Sequence, residues 1–240
     1  MKILKGFALA LSMLTTIPFF KVHDFYKGIN GYAVMFYPLI GFILGGILYG
    51  IYFLLAPFIP NIHLGILLFG ILVLLTGAIH LDGLSDTIDG LFVPKNKALE
   101  VMKDPHSGGM GMLFSTTFLI LKASSFAYLD VMYLLPIILM YSRFNAVLAI
   151  YLFPYISQNG IATLAKEELK LIQVFIALLY VSVLSFLFSS IALLLISLVI
   201  LFILKLFFIK RYGGFSGDIY GFSIELTELL LLNTLILGLV

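Results

Sequence analysis

Three aspartates, Asp82, Asp86 and Asp89, fall within the stretch HLDGLSDTIDG at residues 80 to 90, at the end of an apolar run. At about 100° per residue, Asp86 lies roughly 40° round a helix from Asp82, and Asp89 roughly 20° the other way. All three therefore share one stripe, whereas a merely solvated helix end would scatter its acids round the axis. Carboxylates that repel one another along a stripe are a setting for a divalent cation. The chain has no cysteine, and His80 projects about 200° from Asp82. The oxygen donors favour Mg²⁺, with Mn²⁺ possible, over Zn²⁺.

Two further polar constellations stand beside hydrophobic segments. In MKDPHSGGMG, residues 102 to 111, Asp104 suits a helix N-cap and Pro105 a first turn. Gly108, Gly109 and Gly111 permit close backbone approach, and free amides at a helix start favour phosphate. In GGFSGDIYGFSIELTE, residues 213 to 228, four glycines surround Ser216 and Asp218 ahead of Glu225 and Glu228; glycine-rich polar backbone beside acids suits a ligand or metal loop. Lys122 and Arg143 sit inside apolar runs, where an ionisable group is costly unless it meets a cavity or a partner. Arg143 is the better functional candidate; an internal ion pair or snorkelling is the plain alternative for both.

The elements that must position these groups follow from composition. The chain has 240 residues, 62% of them hydrophobic and 11% charged, with a mean hydropathy of +1.17. Such values lie far from those of a soluble domain. The apolar runs suit helices across a ~30 Å hydrocarbon layer, and the short alternating strands of a membrane barrel are missing. The expected fold class is all-α, a polytopic integral membrane helix bundle forming one domain over 1–240. The net charge of +2, without a dense Lys/Arg stripe, points away from nucleic acid.

Seven spans are expected near 32 to 56, 63 to 79, 109 to 129, 131 to 153, 171 to 189, 190 to 209 and 223 to 240. Ser189 and Ser190 are the expected turn within the 39-residue run from 171 to 209. The breaks around 21 to 30, 80 to 108, 154 to 170 and 210 to 222 hold nine basic residues, from Lys21 to Arg211; those near 57 to 62, 130 and 189 hold none. Lysine and arginine are retained on the cytoplasmic side, so the aspartate stripe of this multi-pass cell-membrane protein should face the cytoplasm. Lys2 and Lys5 fit that side only if segment 3 to 20 is interfacial or re-entrant rather than an eighth crossing. No small-residue cleavage pattern follows that segment, so it is read as retained.

Membrane-embedded aspartates, Mg²⁺, phosphate-friendly glycine turns and one buried arginine together describe a site that can hold a pyrophosphate. The matching chemistry is phosphoryl transfer, in which cations screen the phosphate oxygens while a carboxylate takes a proton from an attacking alcohol.

At HLDGLSDTIDG the chain resembles the cobalamin synthase family, the adenosylcobinamide-GDP ribazoletransferases, whose hallmark reads HLDGLADTxDG with Ser85 here in place of alanine. The resemblance continues through KDPHSGGMG, the helix bearing Arg143 and GGFSGDIYGFSIELTE, in the same order. The chain departs from it in carrying His106 and Thr16 where members often have a basic residue and an arginine. The resemblance implies that α-ribazole or its 5′-phosphate attacks adenosylcobinamide-GDP through a ribose hydroxyl. The products are adenosylcobalamin or its 5′-phosphate, and GMP, with Mg²⁺ required. Within that reading Asp82, Asp86 and Asp89 hold the metal, Asp104 is a further ligand or base, and Asp89 is the chosen general base. Substrate contacts fall to His80, Lys103, His106, Gly108, Gly109, Arg143, Ser216, Asp218 and Glu225. Partners are the corrinoid nucleotide and α-ribazole, membrane lipid, and a second copy or other corrinoid enzymes. A corrinoid is too large for a pocket among seven helices, so a wide opening with most of the macrocycle outside is expected.

Two other functions use similar groups. A CDP-alcohol phosphotransferase would continue its motif as D-G-x2-A-R, whereas Asp82 and Gly83 here precede Leu84, Ser85, Asp86 and Thr87. A divalent-cation transporter would carry acids near the midplane of several helices rather than at one surface.

Overall fold

The computed structural model describes residues 2–17, 26–157 and 161–239. Lys21 and the end of the expected 3 to 20 segment lie outside them. The described chain is helical: α1 Lys2–Leu14, α2 Ile29–Leu55, α3 Asn61–Thr76, α4 Ile79–Leu91, α5 Lys95–Val101, α6 Gly109–Ala127, α7 Leu135–Leu152, α8 Ile161–Glu168, α9 Leu171–Leu187, α10 Ile191–Tyr212 and α11 Gly217–Ile236. Five helical segments are long and apolar enough to cross a membrane, and seven if the bent pairs α3/α4 and α8/α9 each count as one. Every expected span has a helix, the largest offset being at α11, which starts at Gly217 rather than near 223.

α7 is the centre of the bundle. Burial covers 89% of its most apolar window, against 33% for α2 and for α10, and it packs against α2, α9, α10 and α11. Its tightest neighbour is α2, where Gly41 and Gly45 face the α7 backbone so closely that a Cβ at either would overlap Leu139 or Pro136. Small residues one turn apart let two backbones meet, and the gain is van der Waals contact rather than hydrophobic burial. α1 has 13 residues, about 20 Å of helix, well short of a bilayer core. It packs along α2 with Leu9, Ala10 and Leu14 buried and Lys2, Ile3 and Leu4 exposed.

The break that creates α4 is local chemistry. α3 ends where the Ala78 amide bonds the Val73 carbonyl and the Gly77 amide that of Leu74, a Schellman closure. Gly77 and Ala78 both take left-handed φ, 60° and 57°, which costs Ala78 about 1–2 kcal/mol. The chain turns by 87°, so the aspartate-bearing segment becomes a separate helix seated on α11 and α6. The span expected over 63 to 79 stops at Thr76 for this reason. The same closure forms at Ser189, φ 52°, between α9 and α10.

Polar side chains finish the helix ends around this face. Arg211 donates to the carbonyls of Leu91 and Val93, and Tyr212 to that of Gly90, closing the C-terminus of α4. Lys166 donates to Tyr151 and Phe153 at the end of α7. Cations at helix C-termini satisfy the last carbonyls and oppose the macrodipole.

Candidate active site

The aspartates of α4 lie on one stripe and run from solvent inward, Asp82 exposed, Asp86 half-buried and Asp89 buried. α4 and α11 cross at their glycines. A Cβ on Gly83 would stand 2.9 Å from the Asp218 carbonyl oxygen, and one on Gly221 3.1 Å from that of His80. This approach brings Asp218 to the stripe: Asp82, Asp89 and Asp218 all lie within electrostatic reach of Asp86, and Asp218 also feels Lys103.

A cavity of about 550 Å³ opens beside this crossing. Its polar part is lined by Asp82, Asp218, Lys103 and Ser157, and His80 and Tyr220 line it as well. Its other walls come from α1, α2, α7, α8 and the interior of α11. His80 thus lines the same cavity as Asp82 although ideal helical spacing sets the two on opposite sides of α4.

Asp89 departs from the role of general base expected of it. Its two carboxylate oxygens accept the amides of Gly108 and Gly111, each at 2.7 Å. A side chain at either glycine would overlap that carboxylate. Asp89 therefore closes the N-terminus of α6 from a neighbouring helix, a charge-assisted cap aligned with the helix dipole. The amides at Gly108 and Gly111, expected to be free for phosphate, are taken by protein.

Asp104 and Pro105 do not start α6, whose first residue is Gly109 with Gly108 as N-cap. Asp104 accepts the His106 amide and pairs with its ring at 2.8 Å, both residues standing in solvent. That amide bond holds the Asp104 carboxyl below the usual carboxylate range. Neither residue lines the cavity, but Lys103 does.

Ser216 is buried and serves as the N-cap of α11, accepting the Ile219 amide at 3.3 Å and donating to Asp218 at 3.2 Å. It orients Asp218 and does not itself line the cavity.

Arg143 and Glu225, expected at the substrate, are instead joined in an internal network of α6, α7 and α11. Lys122 donates to Glu225 at 2.5 Å and to Glu228 at 2.6 Å, while Arg143 and Ser142 donate to the other oxygen of Glu228. Each of the four charged residues is at most 5% exposed. Two cations meet two carboxylates, so the buried charge sums to zero and the ion-pair alternative holds for both Lys122 and Arg143.

Sequence reasoning passed over the segment FPYIS at 153 to 157. The amide of Phe215 bonds the Pro154 carbonyl at 2.8 Å and that of Ile156 the Phe215 carbonyl at 2.9 Å, pinning this segment to the glycine loop ahead of α11. Tyr155 then stacks on Tyr220, ring centres 6.2 Å apart and planes 12° from parallel. An aromatic and proline cluster in a break on the basic side of the chain was the available signal.

Among the described residues, no group of three or more His, Asp or Glu converges tightly enough to hold a metal through protein ligands alone. The donors still suit a hard cation of the Mg²⁺ type, which keeps waters and is held by one or two carboxylates together with substrate phosphates.

The sequence profile of the cobalamin-5-phosphate synthase family matches residues 6–236. The chain belongs to that family. It is 34% identical over 238 residues to an adenosylcobinamide-GDP ribazoletransferase of Desulforamulus reducens, covering 96% of this chain and 95% of the relative. The protein of the same name from Desulfitobacterium hafniense is 32% identical, with 93% of each chain covered. A third, from Thermosynechococcus vestitus, is 34% identical over 86% of each. No solved structure matches the chain.

Proposed function

We propose that this membrane protein is a Mg²⁺-dependent adenosylcobinamide-GDP ribazoletransferase. A ribose hydroxyl of α-ribazole, or of its 5′-phosphate, attacks the phosphorus that carries the cobinamide. A new oxygen–phosphorus bond forms as the anhydride bond to the second phosphorus breaks, and GMP leaves with the bridging oxygen. The observation that supports this reading is the cavity whose polar part joins Asp82 of the α4 stripe to Asp218 and Lys103.

Asp82 and Asp86 are the residues that would hold the cation, because they are the accessible members of the stripe. When bound, Mg²⁺ supplies neutralisation of the charge that grows on the phosphate oxygens. Lys103 offers a second positive charge on the lining. Asp218 takes the proton of the attacking hydroxyl, with one carboxylate oxygen fixed by Ser216. Asp89 holds the glycine turn in place beside the stripe. The distribution of basic residues supports an orientation of this face toward the cytoplasm, where water-soluble nucleotides are available. The corrinoid ring exceeds the cavity and rests outside it.

The test incubates purified protein with adenosylcobinamide-GDP and α-ribazole and follows GMP and corrinoid product, with Mg²⁺ and with chelator. Product should require the cation, and Asp82→Asn should lower turnover by about 100-fold or more, several kcal/mol of lost charge stabilisation. Full Mg²⁺-dependent turnover in Asp82→Asn removes the metal assignment, and absence of GMP from the unaltered protein removes the reaction.

A further inference from the structure

We infer that a hollow between α5 and the C-terminal end of α10 is the seat of an anionic phospholipid headgroup, with Lys95 and Lys210 serving its negative charge and the acyl chains lying along the exposed face of α10. The inference does not depend on the reaction proposed above, and the hollow shares no lining residue with the cavity at the α4/α11 crossing.

The hollow measures about 510 Å³ and is lined by Lys95, Asn96, Leu99 and Tyr212. Its depth in a bilayer follows from α10. That helix has 22 residues, about 33 Å of length against a hydrocarbon layer of ~30 Å. Its last turn, with Lys210, Arg211 and Tyr212, therefore stands where hydrocarbon gives way to headgroups. The end of α4 lies at a bilayer boundary as well: exposed Phe92 meets Phe114 with ring centres 5.2 Å apart, and Phe114 belongs to the second turn of α6, another helix of spanning length. Protein contacts hold the hollow's two walls together. Arg211 donates to Leu91 and Val93, and the Tyr212 hydroxyl to Gly90, just ahead of the Pro94 that starts α5.

The surface divides as a phospholipid does. Phe202, Ile203, Leu206 and Phe207 of α10 are exposed, and exposed Lys210 follows Phe207 and Leu206 by three and four positions, one turn along the same face. Across the hollow, α5 presents Lys95 and Lys97, both exposed. Residues 91–101 and 210–212 carry Lys95, Lys97, Lys210 and Arg211 against the single acid Glu100. Among the described residues no carboxylate pairs with any of these three lysines. Lysines at the headgroup level attract anionic lipid, each contributing about 5-fold in affinity. A zwitterionic headgroup would bring its own cation to the same lysines, and a soluble anion would leave the apolar stripe of α10 uncovered. An anionic phospholipid satisfies both parts at once.

The chain has no tryptophan, so one introduced indole reports on its own lipid neighbours. Full-length Phe207→Trp, and Phe53→Trp near the opposite end of the bundle as control, are reconstituted in vesicles of phosphatidylcholine and phosphatidylglycerol. One lipid at a time carries bromine on its acyl chains, and fluorescence quenching gives the preference of each position. Thermal melting confirms that the variants fold, and Leu206→Trp serves as reporter if Phe207→Trp does not. Phosphatidylglycerol should be preferred about 5-fold or more at position 207, with no comparable preference at position 53, and Lys95→Gln combined with Lys210→Gln should bring the ratio close to one. Equal quenching by both lipids at position 207, an equal preference at position 53, or a preference that survives loss of both lysines overturns the inference. So does a preference that inorganic phosphate removes at constant ionic strength, which identifies a soluble anion as the occupant.

Discussion

Glu228 is the side chain on which the buried network turns, and its removal should be among the most damaging single changes in the bundle. One oxygen accepts from Arg143 and from Ser142 at 3.0 Å, and the other from Lys122 at 2.6 Å. Glu228 is fully buried, and Arg143 and Lys122 are each only 1% exposed. Glu228→Met leaves two cations against the single carboxylate of Glu225, in a place where water cannot compensate. Breaking a buried pair in this way costs about 3–5 kcal/mol, which for a chain of this size corresponds to a fall in Tm of roughly 6–20 °C. Thermal melting of purified protein in one detergent, with unaltered protein alongside, measures it. The decisive comparison is the double variant Arg143→Met with Glu228→Met, which restores neutrality and leaves Lys122 with Glu225. It should recover most of the loss, because replacing a buried ion pair by apolar groups of similar volume is close to neutral. A double variant as unstable as the two single losses added together would refute charge balance as the reason for the network. So would a Glu228→Met protein that melts within two degrees or so of the unaltered one.

Two further outcomes follow from the same packing. Asp89→Ala strands the amides of Gly108 and Gly111; hydrogen exchange at those two amides and proteolysis between residues 103 and 108 should both accelerate, and unchanged exchange would show that α6 is capped by other means. Gly41→Leu forces α2 away from the Leu139 backbone and should lower the melting temperature at least as much as core overpacking does, about 1–3 kcal/mol, whereas Gly46→Leu, with open space beside it, should leave it nearly unchanged.

The helices were legible because their signal is written in long apolar runs and in loops sorted by charge. Even the short turn at Ser189 and Ser190 could be read. The 87° break after Thr76 could not, since Gly77 and Ala78 sit inside a run that hydropathy alone continues, and only the hydrogen bonds to Val73 and Leu74 end it. The shared stripe of Asp82, Asp86 and Asp89 was legible from helical spacing. Their differing burial was not, because it depends on which neighbours α4 meets. Asp89 became a cap through Gly108 and Gly111, nineteen and twenty-two positions away in the chain. The pairing of Tyr155 with Tyr220 is hard to read because aromatic residues abound here, 15% of the chain, and the aromatic and proline cluster around Tyr155 stands out little against them.

The misplacement of Arg143 has a sharper cause. An arginine inside a span suggests a group aimed at substrate phosphate, yet the sequence also places Glu225 and Glu228 three apart, on one helix face, within another span. Two intramembrane cations and two intramembrane acids are a balanced set, and the expense of each charge in hydrocarbon makes mutual pairing the cheaper arrangement. The consequence reaches the chemistry. With Lys122 and Arg143 committed to the interior, Lys103 is the cationic side chain among the described residues that line the cavity with Asp82 and Asp218, and in the proposed reaction a diphosphate entering there meets more negative charge than positive from these residues. The proposed Mg²⁺, which Asp82 and Asp86 would hold, would offset that excess. On this reasoning the cation is a condition for the nucleotide to approach the aspartates at all, and nucleotide affinity should depend on it as strongly as turnover does.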